Sequence, residues 1–459
     1  MSRAGGGGAL ALVLHTHMPY VEGFGTWPFG EEWLWEAVAT CYLPLLDVLD
    51  AAPGRVTLSV TPVLGDQLEA DGALERCAAF LREIRPASHR LDLDAARESG
   101  ERAALAYSAT RYELAADALA RGRLPARLAA HATWTSSATH AILPLLATAG
   151  GARLQLETGI AAHRARSGGW RGGLWLPECA HAPWLDARLE EAGTRSACVD
   201  LTDVLGRGAA AQLRPLRSPA GPLLLPVDRA ILELVWSARG YPSRGAYRDT
   251  HRLTEHRHQA WAVDGAPYDA ARGARQARAD AEDFVARAAA RVRDGGLCVA
   301  ALDTELLGVH WHEGVAWLAE VLAAAERAGL RIAPLDDLLD EVEPAPAPAL
   351  PATSWGSPRD LTTWSGPDAG GLAWRQRAAE LRAVAAAPDV PDRALRELLA
   401  LQSSDWAFLV AHATAGDYPG RRAAGHEAAF DAALAAPQAH APELRNLAPH
   451  LARGALSEP

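Results

Sequence analysis

This chain of 459 residues has no long apolar run, no surplus of positive charge and few cysteines. Nothing approaches the roughly 20 consecutive apolar residues that a membrane helix needs. A formal net charge of −11 argues against nucleic acid or an anionic membrane surface as the main partner. Cys41, Cys77, Cys179, Cys198 and Cys298 are scattered, with no CxxC pair. They read as reduced, mostly buried thiols of a cytoplasmic protein. The apolar stretch at 9–14 is too short for the core of a signal peptide. No GxGxxG or P-loop follows a predicted strand, so nucleotide binding has no support. Phe and Tyr are also scarce, 6 and 8 against 15 Trp, although Trp is normally the rarest of the three. An indole face packs well on the apolar C–H face of a sugar ring, so the Trp excess favours a carbohydrate partner. The hydrophobic content of 49% and charged content of 22% are ordinary for a globular protein, and the length suits two or three structural units.

Short apolar runs at 10–14, 55–60, 133–137, 174–176, 196–199, 223–227 and 297–302 predict strands. Helix-period stretches lie between them, at 31–50, 182–192, 270–294 and 315–328. Alternation of this kind implies a parallel sheet. An early His-x-His and late carboxylates, all at strand ends, favour a barrel over an open sheet. An Ala/Arg/Leu/Glu-rich segment at about 72–130 predicts a helical insertion. A Pro/Ala run at 341–351 reads as a linker, and the chain beyond it is helical in character. The expected organisation is a barrel over 1–345 and an α-helical domain over 346–459.

Four clusters could carry chemistry. In the first, Pro177 ends the 174–176 run and delivers Glu178 among Trp, Pro and His. Asp303 and Glu305 compete for the corresponding place at the end of the 297–302 run. If Leu302 is the last strand residue, Asp303 is the better candidate. Two acids at two strand ends suggest paired-carboxylate chemistry. Second, His15 and His17 alternate on the first strand and face one way. A zinc site would need further ligands such as His140, His181 or Asp303, but no compact spacing supports one. Hydrogen bonding to substrate, or between the histidines, is the preferred reading. Third, Trp355, Trp364 and Trp406 beyond the linker form either a helical core or an aromatic wall over the site. Fourth, Asp228-Arg229 and the turn-rich 240–247 segment gather hydrogen-bond donors or form a plain surface loop. Cys179 beside Glu178 reads as a packing residue.

Taken together, HTHMPYV (15–21), WPFGEEWLWEA (27–37), TSSATHAILPLL (135–146), LWLPECA (174–180), LDTELLGVHWHEG (302–314), SWG (354–356) and LQSSDWAF (401–408) resemble glycoside hydrolase family 57, and within it the α-1,4-glucan branching enzymes. The segments run in family order over nearly the whole chain. The resemblance implies an α/β fold: a distorted (β/α)7 barrel with a helical insertion, followed by a helical C-terminal domain that helps form the substrate groove. It also implies a retaining reaction on an α-glucan, with Glu178 as nucleophile and Asp303 as general acid/base. Arg229, Gly245, Trp364 and Asp405 match glucan-binding positions, and Trp27 and Trp355 would add aromatic platforms. His15, His17 and His140 would contact substrate. No metal or cofactor is implied, and a monomer is plausible. A retaining mechanism needs two carboxyl groups roughly 5 Å apart, one attacking and one protonating the leaving oxygen.

The chain departs from the family pattern near the groove. Branching members carry a loop whose Tyr shields the intermediate, whereas 205–222 here contains no Tyr. The segment between Trp236 and Gly240 is one residue shorter than usual. Val309-His310-Trp311 follows Gly308 where the family tends to have His-Trp-Trp. These changes leave cleavage intact and predict a larger share of hydrolysis. The alternatives are therefore an α-amylase or 4-α-glucanotransferase on the same scaffold. More distant ones are a non-catalytic glucan-binding protein and a zinc-dependent hydrolase.

Overall fold

The computed structural model describes residues 7–26, 29–219, 221–436 and 446–456. Its organising element is β1 (Ala9–Thr16), in which all eight residues are buried. A strand buried on both faces is what a parallel sheet covered by helices produces. Parallel partners extend it through β2 (Val56–Val60), β3 (Ala132–Ser136), β4 (Gly173–Trp175) and β5 (Ser196–Val199). Next come β6 (Leu216–Arg217) and β7 (Leu223–Pro226). β7 is parallel to β5, and β6 runs antiparallel beside β7. On the other side of β1 lies β8 (Leu297–Asp303), in register with it from Ala9↔Leu297 to His15↔Asp303. The sheet curls until Val227, just beyond β7, bridges Val299 on β8. Seven parallel strands thus form a distorted, nearly closed barrel.

Three two-residue strands are not visible as sequence runs. Besides β6 they are β9 (Arg331–Ile332), paired with β1, and β10 (Ala345–Pro346), paired with β6. β10 corrects the linker reading, because part of the Pro/Ala run is the outermost strand of the sheet. Ala345 and Ala347 donate their N–H groups to Pro215 and Arg217, at 2.9 and 3.0 Å, while Pro346 lies between them. Proline is tolerated at a sheet edge because its missing donor would have faced away from the partner.

The insertion is helical, with its longest helix at Ser99–Ala120. The N-terminal helical run passes from Glu31–Ala37 through a π-turn at Val38–Tyr42 into Leu43–Ala51. Single π-turns often mark functional positions. Here the turn carries Tyr42, whose hydroxyl donates to Glu305 at 2.7 Å. Beyond the barrel, the principal helices are Gly370–Ala386, Asp392–Leu401, Ser404–Ala411 and Tyr418–Ala435. Their core, with Leu398, Trp406 and Phe430, is continuous with Tyr20, Val63 and Leu154 of the barrel side. Glu380 ties the two together by accepting from the Thr148 and Ala147 backbones, the Thr148 hydroxyl and Gln402. Among the described residues no helix is long and apolar enough to cross a membrane.

Candidate active site

The C-terminal ends of β1, β3, β4 and β8 open into one cavity of about 480 Å³, closed on one side by Asp405, Phe408 and Leu409 of the Ser404–Ala411 helix. Glu178, Asp303, Glu305, His15, His17 and His140 all line it. Glu178 reaches it through an unusual backbone. Leu176 and Pro177 end the strand, and Glu178 and Cys179 then take φ of +58° and +50°. His140 on the facing loop has φ +61°. Non-glycine residues held in the left-handed region cost roughly 1–3 kcal/mol each and cluster where function requires them.

Trp355 clamps Glu178 at both ends. The Trp355 backbone N–H donates to the Glu178 carbonyl at 2.9 Å, and its indole N–H donates to the carboxylate, also at 2.9 Å. That indole packs edge-on against Trp175 and Trp236, with ring centroids 5.0 and 4.7 Å away. Arg229, ion-paired with buried Asp200, donates to the Trp355 carbonyl at 2.6 Å. Arg229 therefore supports the loop behind Glu178 and does not line the cavity. Burial pushes the Glu178 carboxyl above its ordinary range, and the Trp355 N–H acts against that shift.

Asp303 ends β8 and receives no hydrogen bond from a described residue. Burial, followed by the charges of Glu178 and Glu305, holds its carboxyl well above the usual carboxylate range. Glu305 lies one turn further on, pushed up to about 7 by burial. It accepts from the Tyr42 hydroxyl and from the His17 N–H at 3.1 Å. Asp303 therefore has a free carboxyl, whereas Glu305 is committed to β1 and the π-turn.

The three histidines form a stack. The His17 and His140 rings lie 4.0 Å apart, and His15 lies 4.6 Å from the Trp175 ring. His15 Nε2 and His140 Nε2 are hydrogen-bonded at 3.0 Å, His15 Nδ1 faces Ser59, and His140 Nδ1 pairs with Ser404. Burial and neighbouring imidazoles lower His15 and His140 well below the ordinary value, so both are neutral. Burial also opposes charge on His17, but Asp405 at 3.0 Å outweighs it and raises His17 above its ordinary value. The histidine nitrogens are thus bonded to one another, to hydroxyls and to Asp405. Among the described residues no group of three or more His, Cys, Asp or Glu side chains is disposed to hold a metal ion.

Other expected site residues fall elsewhere. Trp364 is buried with Ile142, Ala180 and Ala407 beneath the site, and Trp406 is core. Gly245 packs on Asp264 in a turn outside the cavity. Trp27 lies outside the described residues. Cys179 is fully buried, and burial raises its thiol well above the ordinary range. Sequence reasoning missed Trp33, Trp236 and Phe408, which line the cavity. Trp236 and Phe408 remain 37% and 39% exposed, enough to meet a ligand. Nothing at their positions separates them from core aromatics in sequence. No described residue of 205–222 lines the cavity; that segment turns away through Ala210–Leu213 into β6.

Comparison with known proteins adds identity to this geometry. The family profile "Glycosyl hydrolase family 57" matches residues 132–344, and "1,4-alpha-glucan branching enzyme, C-terminal" matches 375–450. The "Probable 1,4-alpha-glucan branching enzyme" of Mycobacterium tuberculosis is 32% identical over 488 residues, spanning 91% of this chain and 90% of that one. The crystal structure of the GH57-type branching enzyme from Pyrococcus horikoshii superimposes with a TM-score of 0.85 at 30% identity, covering 91% of this chain and 88% of the other. That of a GH57 branching enzyme from Thermococcus kodakaraensis, in complex with glucose, gives 0.88 at 27% identity, covering 98% and 96%. The chain belongs to glycosyl hydrolase family 57 and, within it, to the 1,4-α-glucan branching enzymes.

Proposed function

We propose that the enzyme cleaves α-1,4 linkages of an α-glucan and transfers the released chain to a sugar 6-hydroxyl, with retention at the anomeric carbon. The observation that carries this reading is the pairing of Glu178 and Asp303 in one cavity, where burial raises both carboxyls but Asp303 further. The Trp355 indole N–H opposes the rise at Glu178, while burial and then the charges of Glu178 and Glu305 keep the proton on Asp303. Groups whose environments push their proton affinities apart divide the acid and nucleophile roles between them. In the first half-reaction the Glu178 carboxylate attacks the anomeric carbon. Asp303 gives its proton to the departing 4-oxygen, leaving a glucosyl ester on Glu178. In the second, the Asp303 carboxylate takes the proton of an incoming 6-hydroxyl, whose oxygen displaces Glu178 and restores both carboxyls. Exposed faces of Trp236 and Phe408 would seat sugar rings, and His17 with Asp405 would meet hydroxyls.

Water competes with the 6-hydroxyl at the ester. The Tyr-less 205–222 segment turns away from the cavity, so exclusion of water falls to Trp236, Phe408 and Leu306, and hydrolysis takes a measurable share. We assign the enzyme to the cytoplasm and to synthesis of a glycogen-like glucan. Its five buried free thiols support a reducing compartment. We also propose the division into a catalytic barrel at 1–345 and a helical domain at 346–459, the boundary falling at β10.

Amylose incubation tests the reading. New α-1,6 signals by NMR are expected together with some reducing ends. Reducing ends alone would replace branching with hydrolysis. Glu178→Gln and Asp303→Asn should each cost at least about 10³-fold in turnover.

A further inference from the structure

A second cavity of about 380 Å³ adjoins the catalytic one, and Trp33 and Val309 line both. It lies against the helical insertion, and its wall differs in character from the catalytic cavity. Arg85, Arg111, Arg248 and Arg257 line it against Glu32 and Glu36. This is a local excess of positive charge in a chain of net charge −11, and because the sequence contains no lysine, every one of these cations is a guanidinium.

The carboxylates do not balance it. Glu36 is already engaged by Arg85 and by the Tyr112 hydroxyl. Arg111 has no ion pair among the described residues. Arg248 is the least compensated: it is only 5% exposed, its Nε and Nη2 are buried without a hydrogen-bond partner, and no carboxylate lies in ion-pair range. Its planar group is stacked 4.4 Å over the Tyr268 ring. Glu313, on the neighbouring helix start, accepts from the Arg248 backbone N–H at 3.2 Å and not from its guanidinium. A buried cation without an acceptor is costly unless something supplies one. The field is also felt by its neighbours. Burial, then His89 and the nearby arginines, pushes His258 down to about 2, and burial with Arg248 and Arg111 lowers His312.

We propose that this second cavity is an oxyanion site that takes a phosphate or carboxylate carried by a sugar, held chiefly by Arg248 and Arg111 beside the catalytic groove. A neutral sugar asks for acceptors as well as donors; of the two carboxylates in this wall Glu36 is spent on Arg85 and Tyr112, which leaves Glu32 facing several guanidinium groups. A tetrahedral or planar oxyanion asks only for donors, and guanidinium is the group best matched to it. The anionic group could sit on a free sugar phosphate or at the end of a glucan chain that continues past Trp33 into the catalytic cavity. Phosphate binding is expected to be level between about pH 7 and 9, where guanidinium stays charged and the phosphate is fully ionised, and to weaken as pH falls through about 6.

Calorimetric titration of the whole enzyme with inorganic phosphate, glucose 6-phosphate, neutral maltoheptaose and 6-phosphorylated maltoheptaose tests the proposal without requiring turnover, so a failure of the branching reading would not affect it. Glucose 6-phosphate should bind at one site per chain and weaken at least about tenfold in both Arg111→Ala and Arg248→Met. Should Arg248→Met not fold, Arg111→Ala, at the half-exposed rim, carries the test alone. Equal affinity for phosphate and glucose 6-phosphate would assign the site to a free anion. Much tighter binding of 6-phosphorylated than of neutral maltoheptaose, abolished by Arg111→Ala, would assign it to an acidic glucan. No anion binding up to about 10 mM, or binding unchanged in Arg111→Ala, would overturn the proposal.

Discussion

Replacing Trp355 by Phe removes a single hydrogen bond from Glu178 and keeps an aromatic ring in the loop. The lost bond, indole N–H to carboxylate at 2.9 Å, exists for the ionised carboxyl. A hydrogen bond to a charged group contributes about 1.5–3 kcal/mol, which at 1.36 kcal/mol per unit raises the Glu178 proton affinity by about 1–2 pH units. Burial already pushes this carboxyl upward, so the change adds to an existing shift. Glu178 attacks only when ionised, so the acid limb of kcat/KM, which reports the free enzyme, moves towards alkaline pH by the same amount. Below the limb the variant loses about 10- to 100-fold, and on the plateau it stays within several-fold of the parent. The backbone bond from residue 355 to the Glu178 carbonyl survives the substitution, so the carboxylate remains placed. A pH–rate profile on amylose, alongside thermal unfolding to separate the packing loss, supplies the measurement. An acid limb that stays where it was, with rates depressed equally at every pH, would refute the electrostatic role given to Trp355.

Other consequences are equally open to measurement. Burial raises Glu305 to about 7 from an ordinary 4.5, so the folded state favours its neutral form. That preference is fully kept below pH ~4.5 and is lost as pH rises through 7; Glu305→Gln should therefore gain about 3 kcal/mol over the parent at pH 8 and little at pH 4.5, by urea unfolding. An equal difference at both values would remove the argument. Asp405→Asn takes away the charge that raises His17, and the His17 imidazole followed by NMR should titrate below 6.5 instead of above it. Glu380→Ala strands four donors at the junction of barrel and helical domain and should cost about 2–5 kcal/mol in chemical denaturation, with activity lost at lower temperature.

The barrel was legible because parallel strands buried on both faces leave continuous apolar runs: 10–14 and 297–302 fall inside β1 and β8. Two-residue strands leave no such run, so β6, β9 and β10 were invisible, and a Pro/Ala string looked like a tether when alternate N–H groups make it an edge. The carboxylates were legible for a related reason, since an acid that interrupts an apolar run at a strand end has few places to go. What sequence could not supply was the side of each residue that matters. Trp355 offers Glu178 its N–H edge and Arg229 stands behind it, relations set by a backbone contact across 177 positions. Trp236 and Phe408 were lost among fifteen Trp and six Phe, because exposure depends on which loops fail to cover them. The buried mismatch at Arg248 likewise depends on the distance to Glu313, which no local pattern encodes.

The pairing of His17 with Asp405 carries a consequence for how the enzyme comes into being. One partner sits just beyond the first strand and the other about 100 residues beyond Asp303, on the helix that walls the cavity. At about 5–20 residues per second, ribosomes need roughly 5–20 s after finishing the last barrel strand to deliver that helix. Throughout this interval Glu178 and Asp303 face water on the side that Asp405, Phe408 and Leu409 later close, without the burial that sets their proton affinities. A barrel that folds during this interval is therefore not yet competent, and glucan chemistry begins only as the final helices dock.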